Sequence, residues 1–290
     1  MNAALTLFRF KNQLSGIIAP QYTAQKMATM FLNPKKNPLK AWEEQAENNG
    51  KRFTINEHIS AITWDAKDHK NPKRLLLIHG WESRATQMYG LVPELLQQGY
   101  QVTALDMPMH GHTQGDKSNP FIFAQTVLMA QQALGEFDAV IAHSMGAGAT
   151  AATLNENDSL PGQLNTQKVI LIAGPSSIEN VLRHFARLVG LTKRTTRYFL
   201  NEVERNVGVS THKLDVLSAP QKINTHTLIV HDEHDLEVPF SEAQRMVKGF
   251  NHAELLATKG LGHRQILRSD IIKEKMCEFL ASPLPTSVTH

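Results

Sequence analysis

The chain has 290 residues, 41% of them hydrophobic, with thirty basic and 27 acidic residues and a net charge of +3. That apolar content is enough for one large core, and large α/β domains reach this length undivided, so one main domain with an insertion is expected. The near balance of charge, with no long basic run interleaved with aromatics, argues against nucleic acid as a partner. The single cysteine, Cys277, rules out an intramolecular disulfide framework and fits a reducing compartment.

The N-terminal stretch "MNAALTLFRFKNQLSGIIAP" has a short apolar start broken by Arg9 and Lys11, without the basic-then-apolar order of a signal peptide. No apolar run approaches the ~18 residues of a membrane helix. The expectation is a soluble, cytoplasmic protein with no integral membrane segment, and nothing in the sequence specifies an oligomeric state. Residues 1–50 read as a polar, partly helical lead-in without an assigned role. "RFTINEHISAITWDA" (Arg52 to Ala66) then alternates as an antiparallel edge hairpin.

Six short apolar runs follow: "RLLLIHG", "QVTALDMP", "AVIAHS", "KVILIAG", "HTLIVHD" and "AELLAT". Runs apolar on both alternating positions suit strands covered on both faces, as in a parallel sheet. Helix-length segments separate them, among them Ala85 to Gln98, Phe121 to Leu134, Met145 to Asn155 and Ser241 to Phe250. This alternation predicts an α/β fold with a mostly parallel, helix-covered sheet. From Gly174 to His226 the chain spends roughly fifty residues, against the dozen or so that a crossover helix requires. Val181, Leu182, Phe185, Leu188 and Val189 keep helical spacing there, as do Phe199, Val203 and Val207. The organisation is therefore a core of residues 51–174 and 224–290, with residues 175–223 inserted after the sixth strand as a helical cap. Leaving from the carboxyl end of a strand, the cap is expected above the ligand site and is expected to set specificity.

The stretch "DAVIAHSMGAG" ends a strand on Ser144 between small residues. A serine hydroxyl becomes a useful nucleophile only when a base takes its proton and an acid orients that base. Asp235 follows "HTLIVHDEHD", and His263 lies in "KGLGHRQIL" after the last strand, so serine, acid and histidine stand in order, each in a loop after a strand. Asp232, Glu233 and Glu237 are rival acids in the same loop. Ala142 stands where G-x-S-x-G has its first glycine; one extra methyl is a mild departure, because Gly146 keeps the more demanding small position after the serine.

From about Arg74 to Leu280, through "LIHGW", "ALDMPMHGHT", "AHSMGAG", "HDEHDLEVP" and "GLGHRQIL", the chain resembles the α/β-hydrolase superfamily. It is most similar to capped bacterial carboxylesterase-like and serine-aminopeptidase-like members. The resemblance implies an α/β-hydrolase fold and a triad of Ser144, Asp235 and His263, with the D-x-x-V-P spacing of Asp235 to Pro239 favouring that acid. It also implies an oxyanion hole made by the backbone N–H groups of Trp81 and Met145. No cofactor and no metal is implied. The remaining histidines take plainer roles: His79 supports the oxyanion turn or reaches the pocket, His143 lines the pocket, and His110 and His112 with Asp106 shape a loop. Arg183, Arg187, Arg194 and Arg197 of the cap are candidates to attract an anionic substrate, although a solvated helix face is the plainer reading.

The function expected on these grounds is hydrolysis of a carboxylic ester, or thioester, of a small acyl substrate through an acyl-enzyme. Amide or peptide hydrolysis, C–C bond hydrolysis and acyl transfer are alternatives on the same triad, and a non-catalytic ligand-binding protein is the alternative of another class. Ser144 disfavours the dehalogenases and epoxide hydrolases of the superfamily, which use an aspartate nucleophile. "GAGATA" from Gly146 to Ala151 matches a dinucleotide-binding pattern but lacks an acid at the end of the next strand. Metal binding by His110 and His112 with His231, Asp232, His234 and Asp235 lacks a specific ligand spacing.

Overall fold

Strands apolar on both alternating positions have to be covered on both faces, and they lie so in the computed structural model, which describes residues 3–66, 70–218 and 221–285. The hairpin strands are β1 (Lys51–Ile55) and β2 (Ile59–Trp64). They are followed by β3 (Arg74–Ile78), β4 (Gln101–Leu105), β5 (Ala139–His143), β6 (Lys168–Ile172), β7 (His226–Asp232) and β8 (Ala253–Thr258). The eight form one sheet in the order β1-β2-β4-β3-β5-β6-β7-β8, antiparallel at the two pairings of β2 and parallel elsewhere. After β3 the chain moves outward to β4 and returns to the other side as β5. The carboxyl ends of β3 and β5 therefore flank the switch point of the sheet, where open α/β sheets bind ligands.

Alternation sorts the strand side chains into two cores. Leu76, Ile78, Val140, Ala142, Val169 and Leu171 face α5 (Pro120–Leu134), α6 (Met145–Thr153) and α9 (Ser241–Val247). Leu75, Leu77, Ile141, Ile170 and Ile172 face α3 (Ala41–Asn49), α4 (Val92–Gln97) and α11 (Asp270–Ala281). The short α10 (Gly262–Gln265) follows β8. Local signals agree with these elements: the Asn119 side chain accepts from Ile122 N–H at the start of α5, with Pro120 in the first turn. The stretch Ala85 to Gln98, expected as one helix, is a 3-10 turn (Ala85–Leu91) followed by α4. Pro93 explains the break: it has no N–H for the carbonyl of Tyr89, and its ring obstructs a continuous α-helical turn there.

The lead-in, expected as partly helical, holds three helices, α1 (Ala3–Ile18), α2 (Pro20–Leu32) and α3, separated by Ala19 and by the proline-bounded segment "NPKKNP". The insertion after β6 holds α7 (Ile178–Leu188) and α8 (Lys193–Val207) with two 3-10 turns. Helix α2 lies against α8, burying Ala24, Met27, Ala28 and Phe31 opposite Phe199 and Val203. An aromatic cluster ties these segments to the sheet. The Phe31 ring stands 5.2 Å from Phe185, 6.2 Å from Phe199 and 6.0 Å, stacked, from Trp81 after β3. Among the described residues no helix is long and apolar enough to cross a membrane.

The insertion is anchored to the sheet at its root by Glu242 of α9. Its Oε2 accepts from Ser176 N–H (3.0 Å), Ser176 Oγ (2.7 Å) and Ser177 N–H (3.2 Å), and its Oε1 from Asn180 Nδ2 (2.8 Å). Ser176 and Ser177 are buried, so losing the carboxylate leaves their donors without water or an acceptor. Glu242→Ala is expected to lower stability by about 2–4 kcal/mol, a loss that urea unfolding would detect.

Candidate active site

The turn between β5 and α6 carries Ser144 at φ 55° and ψ −125°, a conformation that costs a non-glycine residue on the order of 1–3 kcal/mol. Its carbonyl accepts the first intrahelical bonds of α6, from Ala147 (2.9 Å) and Gly148 (3.2 Å), while its hydroxyl does not cap the helix. The N–H of Met145, in the first turn, has no intrahelical acceptor to reach. The turn is held by close packing against β3. A Cβ on Gly146 would lie 2.3 Å from the carbonyl oxygen of His79, and a Cβ on Gly80 would lie 2.7 Å from that of Ser144. Ala142 is fully buried in β5.

Two loops from the far side of the sheet meet this serine. The Ser144 hydroxyl donates to Nε2 of His263 at 2.8 Å, and Nδ1–H of His263 donates to Oδ2 of Asp235 at 2.6 Å. The other oxygen of Asp235 accepts from the N–H groups of Glu237 (2.8 Å) and Val238 (2.9 Å). Burial alone would raise the Asp235 pKa, but the bond and charge of His263 with these two N–H groups hold it below the usual carboxylate value. The rival Asp232 is committed elsewhere, accepting from Leu261 N–H (2.9 Å), Thr258 Oγ1 (2.8 Å) and His234 N–H (3.0 Å). Against the opposing effect of burial these bonds lower its pKa to about 2 and join the acid loop to the loop carrying His263. Glu237 pairs with Arg264 (3.0 Å), and Glu233 with Lys259 (3.2 Å).

Around Ser144 opens a cleft of about 520 Å³. Ser144, His263, His143 and Trp81 line it, with Asn37, Leu39 and Trp42 of the lead-in on its wall. His79, expected as a possible pocket residue, is fully buried behind the cleft and does not line it. Its Nδ1–H donates to the Gly80 carbonyl (2.6 Å) and its Nε2 accepts from Met107 N–H (3.0 Å). Because a trans peptide sets C=O and N–H on opposite sides, anchoring the Gly80 carbonyl on His79 turns the Trp81 N–H away from it. The insertion, expected to sit over the site and set specificity, contributes no lining residue among those described; its Phe185 and Phe199 touch Phe31, which stacks on Trp81.

The wall formed by residues 37–42 was not legible in advance. It is fixed by Lys35 N–H donating to Glu82 Oε1 (3.2 Å), Asn37 Nδ2 donating to the Glu82 carbonyl (3.2 Å), and Arg84 donating to the Asn37 carbonyl. The prolines of "NPKKNP" mark a loop, but no local pattern says that the loop reaches the end of β3. Of the residues weighed as metal ligands, His110 accepts from Glu82 N–H (3.1 Å), His231 donates to the Val238 carbonyl (2.9 Å), and Asp232 and Asp235 hold the bonds described above. Among the described residues no group of three or more His, Cys, Asp or Glu side chains is arranged to hold a metal ion.

With the fold and this geometry in hand, the comparisons define the class. The sequence profile of the alpha/beta hydrolase fold family matches residues 73–218, and that of the TAP-like protein family matches residues 208–287. The chain belongs to the alpha/beta hydrolase fold family. No curated protein sequence matches it. Among solved structures it is similar to the esterase Pf2001 of Pyrococcus furiosus, at 19% identity and TM-score 0.59, over 86% of this chain and 98% of that one. It is also similar to Est1E of Butyrivibrio proteoclasticus with ferulic acid bound, at 17% identity and TM-score 0.60, over 80% and 100%. An epoxide hydrolase from metagenomes of hot environments matches at 13% identity and TM-score 0.58, over 81% and 99%. At such identities the likeness concerns the fold.

Three further imidazoles around the site are buried and neutral. Burial lowers the pKa of His79 to about 4. It lowers that of His110 to about 3, helped by His79, and that of His143 to about 3, helped by His263. His143 donates through Nε2 to the His263 carbonyl at 2.8 Å. Below pH ~6.5 these imidazoles bind protons in the unfolded chain and refuse them in the folded one, so stability falls as pH drops from there toward the folded values. At pH ~5 each is expected to cost about 2 kcal/mol relative to neutral pH, and replacing His143 with Gln should flatten the stability–pH curve measured by denaturant unfolding.

Proposed function

We propose that the protein is a serine hydrolase that cleaves a carboxylic ester, or thioester, of a small acyl substrate through an acyl-enzyme intermediate. The observation that carries this reading is the continuous hydrogen-bonded line from Asp235 through His263 to the Ser144 hydroxyl, opening on the cleft. His263 takes the proton of Ser144 as the oxygen attacks the acyl carbon, and the resulting imidazolium is stabilised by Asp235. The negative charge on the former carbonyl oxygen is received by the N–H groups of Trp81 and Met145. The start of α6 adds the positive end of its helix dipole. His263 returns the proton to the leaving alcohol or thiol, then activates a water that releases the acid and restores Ser144.

The strained backbone of Ser144 supports the same reading, because strain of this kind persists where the surroundings impose it for function. The cleft volume is within the range of sites for small molecules, ~300–1,000 Å³. The lead-in wall at Asn37, Leu39 and Trp42 is then the surface that selects the acyl or leaving group.

A fluorophosphonate probe is expected to label the wild-type protein at Ser144, and Ser144→Ala and His263→Ala to abolish labelling while keeping the wild-type circular dichroism spectrum. On a p-nitrophenyl ester these variants should lose about 10⁴–10⁶ in kcat, and Asp235→Asn about 10³–10⁴. Unlabelled wild-type protein that also fails to turn over short esters and thioesters would overturn the assignment.

A further inference from the structure

Helix α1 turns Asn12, Ser15 and Gly16 inward, with Phe8 packed against the core on that side, and an apolar stripe outward. Its buried residues are Asn12 and Gly16; Asn12 Nδ2 donates to the Val189 carbonyl at 2.8 Å, and the Gly16 carbonyl accepts from Thr195 Oγ1 at 3.1 Å. On the same side Ser15 Oγ bonds Thr23 Oγ1 at 2.6 Å. The opposite side carries Leu7, Phe10, Leu14, Ile17 and Ile18, between 50% and 77% exposed, and Tyr22 at the start of α2 is 65% exposed. The spacing of these five places them on one arc of about 100° around the helix, the width of a face built to be buried. Soluble monomers seldom leave so continuous an apolar stripe in water.

Charge decides what covers it. The first 42 residues contain Arg9, Lys11, Lys26, Lys35, Lys36 and Lys40 and no aspartate or glutamate. Since the whole chain is only +3, the remainder is net acidic. Lys193, Arg194 and Arg197 join this basic end, because Thr195 of the same turn of α8 is bonded to Gly16 of α1. A second copy docking through the same face would oppose one basic rim with another, with no acidic side chain on α1 or α2 to neutralise it.

We propose that α1 is an interfacial helix that docks the protein on an anionic lipid surface. The apolar stripe enters the boundary between headgroups and acyl chains, while Lys11, Lys26, Arg194 and Arg197 meet lipid phosphates. The helix lies in the surface and does not span it. Through α2 it is continuous with the segment that lines the cleft.

The test is cosedimentation of the full chain with phosphatidylcholine vesicles, either pure or containing about 30 mol% phosphatidylglycerol, read by bound protein and hence independent of catalysis. The expected result is binding to the anionic vesicles at least ~10-fold tighter than to the neutral ones, weakened by salt. The double substitution Phe10→Asp with Ile17→Asp should cut binding to the anionic vesicles by at least ~10-fold, with circular dichroism and fluorophosphonate labelling as in the wild type. Lys11→Glu with Arg194→Glu should reduce binding to the anionic vesicles alone. Wild-type protein that stays in the supernatant, binding untouched by the apolar substitutions, or a dimer in light scattering that those substitutions dissolve without any vesicle binding would each overturn the proposal.

Discussion

The site rests on the contact between a missing side chain and a carbonyl. Gly146, in the first turn of α6, packs so closely under the carbonyl oxygen of His79 that no Cβ fits, and a Cβ on Gly80 would meet the side chain of Ser144. These two contacts fuse the end of β3 to the end of β5, neighbouring strands whose register already sets Ile78 beside Ala142. Ser144 is thereby kept at a positive φ that it would not adopt alone. With the serine lodged there, its hydroxyl points at His263 instead of capping the helix, and the first N–H groups of α6 have no intrahelical acceptor. Everything else in the region either supports this junction or surrounds it.

The support is largely made of imidazoles used as neutral struts. His79 bonds the Gly80 carbonyl on one side and Met107 N–H on the other. His110 links Pro108 to Glu82 N–H, and His143 holds the carbonyl of His263. Each offers one donor and one acceptor, on opposite edges of a ring, in a dry place where a charged group would be costly. The low pKa values of these rings follow from that use. Asp106 plays the ionic counterpart, receiving Ala85 N–H, His112 N–H and Arg52, and so joins the edge hairpin to the loops after β3 and β4.

How much of this could be read in advance depended on whether the information was local. The parallel sheet, its order of strands and helices and the position of the insertion follow from periodicity, which each segment carries by itself. Ser144, Asp235 and His263 were recognisable because each sits in a short loop directly after a strand, and the structure brings the three into one hydrogen-bonded line. What Asp232 does instead was not local: it is occupied by donors from residues 258–261, across a strand pairing. The same holds for His79, whose partners Gly80 and Met107 enclose it, and for the wall at Asn37, which depends on Glu82 and Arg84 beyond a hairpin and a strand. The lead-in read as polar because composition averages over a helix, whereas α1 separates its apolar and polar residues by face.

The segment between α2 and α3 combines firm ends with a lightly held middle. Phe31 fixes one end in the aromatic cluster and Glu43, Ala46 and Trp42 seat the other, while the residues between are secured by a few polar bonds to Glu82 and Arg84. No strand register and no core packing depends on the identity of residues 37–39. The wall of the cleft is thus an interchangeable part: its chemistry can drift through substitution, insertion or deletion while the sheet and the serine junction stay as they are, so that, on the proposed function, a change of substrate would not require a new fold.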